Sequence, residues 1–170
     1  MNQATKKNLK QFLIVLSLLA AIIAAIIAAI AITLHATRDI RAEKKRLREN
    51  QYAINAIKNR AEITLPDDAE IVFNIKQVIF QDGTEYYVVF KFTEEPIKWL
   101  KDNNFSNSKN EVLESTLNRY FKSGGWLDES VPLEYRPIFN EEYYWLKTRG
   151  ISRFVYMPDK QELIVHIYPI

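Results

Sequence analysis

The stretch EIVFNIKQVIFQDGTEYYVVFKF, residues 70–92, decides the fold. In its second half Tyr86, Val88, Phe90 and Phe92 recur with a period of two, the spacing of one face of a β-strand. In its first half Ile71, Phe73 and Ile75 alternate, and Val78 and Phe80 continue in the opposite phase. A β-bulge near Lys76-Gln77 accounts for that switch. Asp82-Gly83, between the halves, is a tight-turn dipeptide. The stretch is therefore expected to be an antiparallel hairpin.

Toward the C-terminus the pattern changes to helix. Thr93 is placed to cap a short helix through EEPIKWLKD, residues 94–102, with Pro96 tolerated in its first turn. After the polar break NNFSNSKN (103–110), Ser108 and Glu111 form a capping box. The helix that follows puts Val112, Leu113, Thr116, Leu117, Tyr120 and Phe121 on one stripe, and Gly124-Gly125 ends it. Residues 126–140 are expected to be an ordered loop packed by Trp126, Tyr135 and Phe139. EEYYWLKTR (141–149) fits a strand or a helix. ISRFVYM and ELIVHIY, joined by a turn at Pro158-Asp159-Lys160, form a second hairpin. The expected class is α+β, a small domain of antiparallel sheet and helices over residues 63–170.

Toward the N-terminus the chain changes character. Residues 12–34 contain no charge, with fourteen Phe, Leu, Ile or Val, seven Ala, and only Ser17 and Thr33 polar. As a helix this run is roughly 35 Å long, enough for a hydrocarbon core of about 30 Å. It exceeds the apolar region of a cleaved signal peptide, about 7–15 residues. Leu34-His35-Ala36 also puts a large residue where cleavage wants a small one. The expectation is an uncleaved, single-pass transmembrane helix behind a basic tail, residues 1–11. Residues 35–62, without Gly or Pro, continue it as a basic helical stalk. Ile40, Leu47, Ile54 and Ala61 are seven apart, but the companion row Ala36, Glu43, Asn50 and Ile57 is only half apolar, which favours a solvated stalk over a coiled coil.

Within the apolar run Ala21, Ala25 and Ala29 lie four apart, as do Ala20, Ala24 and Ala28. Four residues advance a helix by about 400°, so each row drifts only about 40° per step. A small-residue groove of this kind lets two helices approach closely, and it is the candidate seam of a homodimer through the membrane helix. A passive anchor is the competing reading. Arg38, Arg41, Lys44, Lys45, Arg46 and Arg48 are candidates for lipid contact, each worth about 1 kcal/mol at an anionic surface. Asp39, Glu43 and Glu49 could equally pair with them on a solvated face.

Charge divides the chain: residues 1–60 carry a net +8 and residues 61–170 a net −6. An acidic domain is a poor partner for phosphate backbones, so no nucleic acid is expected. The chain has no cysteine, hence no disulfide and no thiolate metal site. The basic flank after the apolar run argues for a cytoplasmic domain. The basic start of the chain resembles that of a signal-anchor and argues the other way, and the expectation adopted is a cell-membrane protein with an extracytoplasmic domain.

Catalytic motifs are missing. His35 lies at the membrane edge. His166 lies in the last strand on the face opposite Leu163, Val165 and Ile167, where a surface or packing histidine is expected. No HExxH, Walker or Rossmann motif is present, and no Ser-His or Cys-His pair assembles. Asp67-Asp68, Glu94-Glu95, Asp128-Glu129 and Glu141-Glu142 are pairs of acids, and carboxylates alone can hydrolyse glycosides. Adjacent acids point to different faces, however. Asp82-Gly83-Thr84-Glu85 is shorter than a calcium loop. No catalytic, cofactor-binding or metal residue is assigned. Trp126, Tyr135, Arg136, Tyr143, Tyr144, Trp145 and Arg149 concentrate the residue types of binding hot spots and are the candidate partner surface, with a packed core as the alternative.

LPDDAEIVF, FQDGTEYYVVFKF and IKWL, within residues 65–100, together resemble small bacterial membrane-anchored proteins and lipoproteins with a Leu-Pro-x-x-Ala opening and a Phe-x-Phe strand end. The resemblance implies a domain outside the cytoplasmic membrane. The lipobox cysteine of the lipoproteins is missing, so here the helix would be the anchor, and no functional residue transfers. A type IV pilin would have Gly before the apolar run and Glu within it, and both are lacking. The expected function is a single-pass membrane-anchored interaction protein whose domain binds a protein or envelope component. The alternatives are a cytoplasmic-facing accessory or regulatory subunit with a lipid-contacting stalk, and a small carboxylate-dependent hydrolase.

Overall fold

No glycine or proline interrupts the chain before Pro66, and Ala, Leu, Lys, Arg and Glu, which lose little on entering a helix, dominate that segment. In a computed structural model that describes residues 3–79, 83–122, 124–148 and 152–168, with side chains from residue 16 onward, one helix, α1, spans Gln3–Ala61. The tail expected over residues 1–11 is thus helical from Gln3. Lys58 and Arg60 sit in the last turn, where cations favour the helix dipole. Glu62 ends the helix in the left-handed region, at φ 58°.

The chain divides into two units, Met1–Leu47 and Arg48–Ile170. In the first, an 18-residue window reaches a mean hydropathy of 2.8 with none of it buried. Leu16, Leu18, Ile22, Ile26 and Ile30 are each at least half exposed. One long apolar helix of this kind is compatible with a single-pass membrane anchor.

The second unit is built on a five-stranded sheet of β1 (Glu70–Ile79), β2 (Gly83–Lys91), β3 (Tyr144–Lys147), β4 (Arg153–Met157) and β5 (Glu162–Ile167), in the order β1-β2-β5-β4-β3. Every neighbouring pair is antiparallel. The α+β class expected from the sequence is what the chain adopts. Helices α2 (Ile97–Asp102), α3 (Glu111–Lys122) and α4 (Trp126–Ser130) lie between β2 and β3 in the chain. Gly83, at φ 98°, supplies the positive φ needed at the start of β2, while Asp82 and Phe80 lie outside the described residues.

Both faces of the sheet are covered, which is why the central strands are apolar at nearly every position. Tyr86, Val88, Phe90, Phe154, Tyr156, Leu163, Val165 and Ile167 point to one face, where Ala53, Ile57 and Ala61 of α1 and Leu100 of α2 close over them. Tyr87, Val89, Val155, Met157 and Ile164 point to the other, covered by Leu113, Leu117 and Phe121 of α3 and by Leu127 of α4. The last turns of α1 are therefore core, and the solvated stalk expected over 35–62 does not extend to its end.

Several local expectations change. The register shift in β1 falls between Ile71 and Phe73, at Val72, rather than near Lys76-Gln77. It sends Ile71 to one face and Phe73 and Ile75 to the other. With that phase Asn74 and Lys76 face α1, where Asn74 donates to Asn50 Oδ1 at 3.3 Å and Lys76 Nζ lies 3.7 Å from Glu49 Oε1. Helix α3 is capped by Asn110, whose Oδ1 accepts from the Leu113 N–H at 3.0 Å, while Ser108 Oγ bonds Ser106 Oγ at 2.7 Å. Asn110, not Ser108, thus satisfies the first-turn donor. Val112 is 76% exposed and leaves the apolar stripe. Helix α2 begins at Ile97 with Pro96 before it and no side-chain cap, so Thr93 does not cap it. Residues 126–140 contain α4 and a 3₁₀ turn, Leu133–Tyr135, and EEYYWLKTR contains strand β3.

Candidate functional site

The hot-spot residues are drawn into the fold. Trp126 Nε1 donates to Glu85 Oε2 at 2.9 Å. Tyr135 stacks on Phe73 with ring centroids 4.8 Å apart, and its carbonyl accepts from the Tyr87 hydroxyl at 2.7 Å. Arg136 donates from Nη1 to Asp128 Oδ1 and from Nε to the Val131 carbonyl, both at 2.9 Å, and lies over the Phe121 ring. Tyr143 is buried; its hydroxyl donates to Glu114 Oε1 at 2.7 Å and accepts from the Asn110 N–H at 2.8 Å. Trp145 Nε1 donates to the Ser108 carbonyl at 2.8 Å, and Tyr144 packs near Tyr156. Arg149 lies outside the described residues. Trp126, Tyr135, Arg136, Tyr144 and Trp145 are half-buried, and these contacts tie loops to the sheet.

Other candidates remain on the surface. Ala21, Ala25 and Ala29 are exposed along α1, as are Arg38, Arg41, Lys44, Lys45, Arg46 and Arg48.

One member of the Asp67-Asp68 pair and both members of the Glu94-Glu95 pair come together from separate parts of the chain. Asp68 from the loop before β1, and Glu94, Glu95 and Asp102 around α2, line an open groove of about 560 Å³. Pro66, Pro96, Ile97 and Trp99 give it apolar walls, and Lys98 is its one cation among the described residues. The indole N–H of Trp99 donates to the Thr64 carbonyl at 2.8 Å, which holds the ring between the two segments. Among the described residues four carboxylates and one ammonium line the groove, which makes its wall acidic, and Trp99 adds an indole face.

A second polar constellation is internal. Glu85 and His166 are 3% and 1% exposed, and His166 Nε2 lies 2.5 Å from Glu85 Oε1. Together with Trp126 they form a chain from α4 through β2 to β5. Burial holds the His166 imidazole below its ordinary value of 6.5; the nearby Arg153 acts in the same direction, and Glu85 opposes both. Burial also pushes the hydroxyls of Tyr87 and Tyr168 well up. His166 is on the face opposite Leu163, Val165 and Ile167, as its place in the strand implied. Glu85 was missed as its partner, although Glu85, Tyr87 and Val89 alternate onto a covered face. Among the described residues no group of three His, Asp or Glu is placed to hold a metal ion.

No protein-family model, curated protein or solved structure matches the chain.

Proposed function

We propose that the chain is a single-pass membrane-anchored interaction protein whose domain binds a cationic segment of a protein or envelope component in the groove around α2. The carrying observation is the convergence of Asp68, Glu94, Glu95 and Asp102 on one open, partly apolar groove. Charge complementarity of this kind selects partners and speeds their encounter. The exposed apolar helix supplies the anchor. The domain lies outside the cytoplasmic membrane, in keeping with the basic start of the chain and with the resemblance of residues 65–100.

The test uses the full chain in detergent micelles and a fluorescent octalysine peptide. At low ionic strength the wild type binds, and added salt weakens the complex. The double variant Glu94→Lys, Glu95→Lys binds at least tenfold more weakly, while its melting temperature is unchanged because both side chains are exposed. Equal affinity in the two proteins, or no binding by the wild type, rejects the groove. A compartment reporter after Ile170, with protease access in intact and osmotically opened cells, decides the side of the membrane.

A second reading is supported by the exposure of all six cations between Arg38 and Arg48. It makes the protein a cytoplasmic-facing accessory subunit whose basic helix segment contacts anionic lipid. A cytoplasmic reporter signal would favour it over the first.

A further inference from the structure

The two ends of the sheet are finished differently. β3, at one end, is four residues long, and its outer side is already paired. Ser106 and Trp145 exchange two backbone hydrogen bonds there, at 2.9 and 2.8 Å. β1, at the other end, runs for ten residues, and no described strand pairs with its outer side. Its pairing with β2 is regular from Phe73 to Ile79, beyond the shift at Val72. Along an antiparallel strand, alternate residues turn their N–H and C=O toward the same neighbour. Alternate residues of 73–79 therefore hold out backbone donors and acceptors that no described strand meets.

Exposed edges of this length are commonly guarded by Pro, by an outward Lys or by a bulge. Residues 73–79 contain no Pro. Their one charge, Lys76, is drawn aside toward α1, with Nζ 3.7 Å from Glu49 Oε1 and 5.8 Å from the centre of the Tyr52 ring. The bulge at Val72 guards only the start of the strand. A groove of about 320 Å³ is lined by Asn74, Ile75 and Lys76, with Glu49 of α1 on one side and Trp126 and Ser130 of α4 on the other. It follows the edge of β1 between the two helical layers. Its walls differ in chemistry. Asn74 and Lys76 turn to the α1 side with Glu49, whereas Ile75 turns to the α4 side with Trp126.

We propose that β1 is a strand-addition site, at which an extended, cationic segment of a partner protein lies in this groove as a sixth strand. Backbone hydrogen bonds hold it. Successive side chains of a strand point to opposite faces. The segment that fits thus carries basic residues toward Glu49 and apolar residues toward Ile75 and Trp126. Its charge complements a domain of net −6 over residues 61–170, with Asp67, Asp68 and Glu70 exposed around the start of β1. A second copy of β1 fits less well. A two-fold pairing centred on the regular stretch sets Lys76 opposite Lys76 of the second copy, and like charges directly opposed are destabilising. The proposal rests on the cationic partner of the reading above, but the bonds that hold that partner run along β1 instead of around α2.

The test uses the full chain in detergent micelles and a fluorescent peptide of four Lys-Val repeats. In the free protein, alternate amides of residues 73–79 should exchange rapidly with solvent by NMR. At saturation with the peptide they should exchange at least tenfold more slowly. The same peptide methylated on every backbone nitrogen keeps its charge and side chains but cannot donate, and it should bind at least tenfold more weakly. Ser130→Trp, at an exposed position on the groove wall, should weaken the Lys-Val peptide to a similar extent with its melting temperature unchanged. Equal affinity of the two peptides, or unchanged exchange over 73–79 in the complex, overturns strand addition. Octalysine binding that is lost in Glu94→Lys, Glu95→Lys would still stand in that case, so the two readings fail separately. Slow exchange over 73–79 in the free chain that disappears on dilution would give the edge to a second copy and also overturn the proposal.

Discussion

Ala21, Ala25 and Ala29 and, further along the same helix, Ala53, Ile57 and Ala61 are spaced identically, four residues apart. The first row is exposed along its whole length. The second is 0%, 0% and 8% exposed, pressed against the sheet. Spacing alone therefore defines a face of a helix without defining its cover. Flanking chemistry makes the difference. The first row runs beside Ala20, Ala24 and Ala28, with Ile and Leu around both and no charge nearby, which suits lipid. The second has Gln51, Asn55, Lys58 and Asn59 on its other faces, which suits a helix half in water and half on a core.

The sharpest way to break this comparison is Ile57→Ala. Ile57 is fully buried, so the change should cost the domain about 2–5 kcal/mol through lost burial and a residual cavity. Denaturant unfolding followed by tryptophan fluorescence measures it. A loss under 1 kcal/mol would mean that the end of α1 is not core.

Asn110→Ala is a smaller test, of the domain's other helical layer. Removing the cap of α3 should cost about 1 kcal/mol, whereas Ser108→Ala should stay within about 0.5 kcal/mol. Equal effects would restore the capping box expected from Ser108 and Glu111.

The smallest change in stability comes from single Cys substitutions at Ala21, Ala25 and Ala29. Each should leave domain unfolding within about 0.5 kcal/mol of the parent, since none of the three is buried. Their use is the crosslink. Disulfide-linked dimers formed in membranes at these positions, and not at Ile23 or Ile27, would give the first row a helical partner; no crosslink at any position would leave it facing lipid.

Much of the architecture was legible because it is written in short-range patterns. The helix from residue 12 to the end of α1 needs only an uninterrupted run without Gly or Pro, whereas its start at Gln3 was not expected. The strands of both hairpins need only β-branched and aromatic residues bounded by turns. The bulge was misplaced because Ile71, Phe73 and Ile75 look in phase, and only the partners Asn50 and Glu49 explain why Asn74 and Lys76 must face α1. The aromatic cluster read as a binding surface because hot spots and small cores draw on the same residue types. Only contact with Glu85, Phe73, Glu114 and Ser108 shows how it is used.

What the amino-acid sequence determined by itself was local and compositional. It marked an apolar helix long enough to cross a bilayer, the division into a basic N-terminal part and an acidic domain, the hairpins and the α+β class. Each depends on neighbours a few residues apart, and backbone geometry acts at that range. The tertiary structure alone decided which helix face is core, that Asp68 joins Glu94, Glu95 and Asp102 in one groove, and that Glu85 meets His166 across 81 residues. Those pairings depend on how strands are ordered in the sheet and on what covers each face. Side chains distant in sequence become neighbours only once that order exists, because burial and hydrogen bonding act through space and carry no spacing that a linear pattern could reveal.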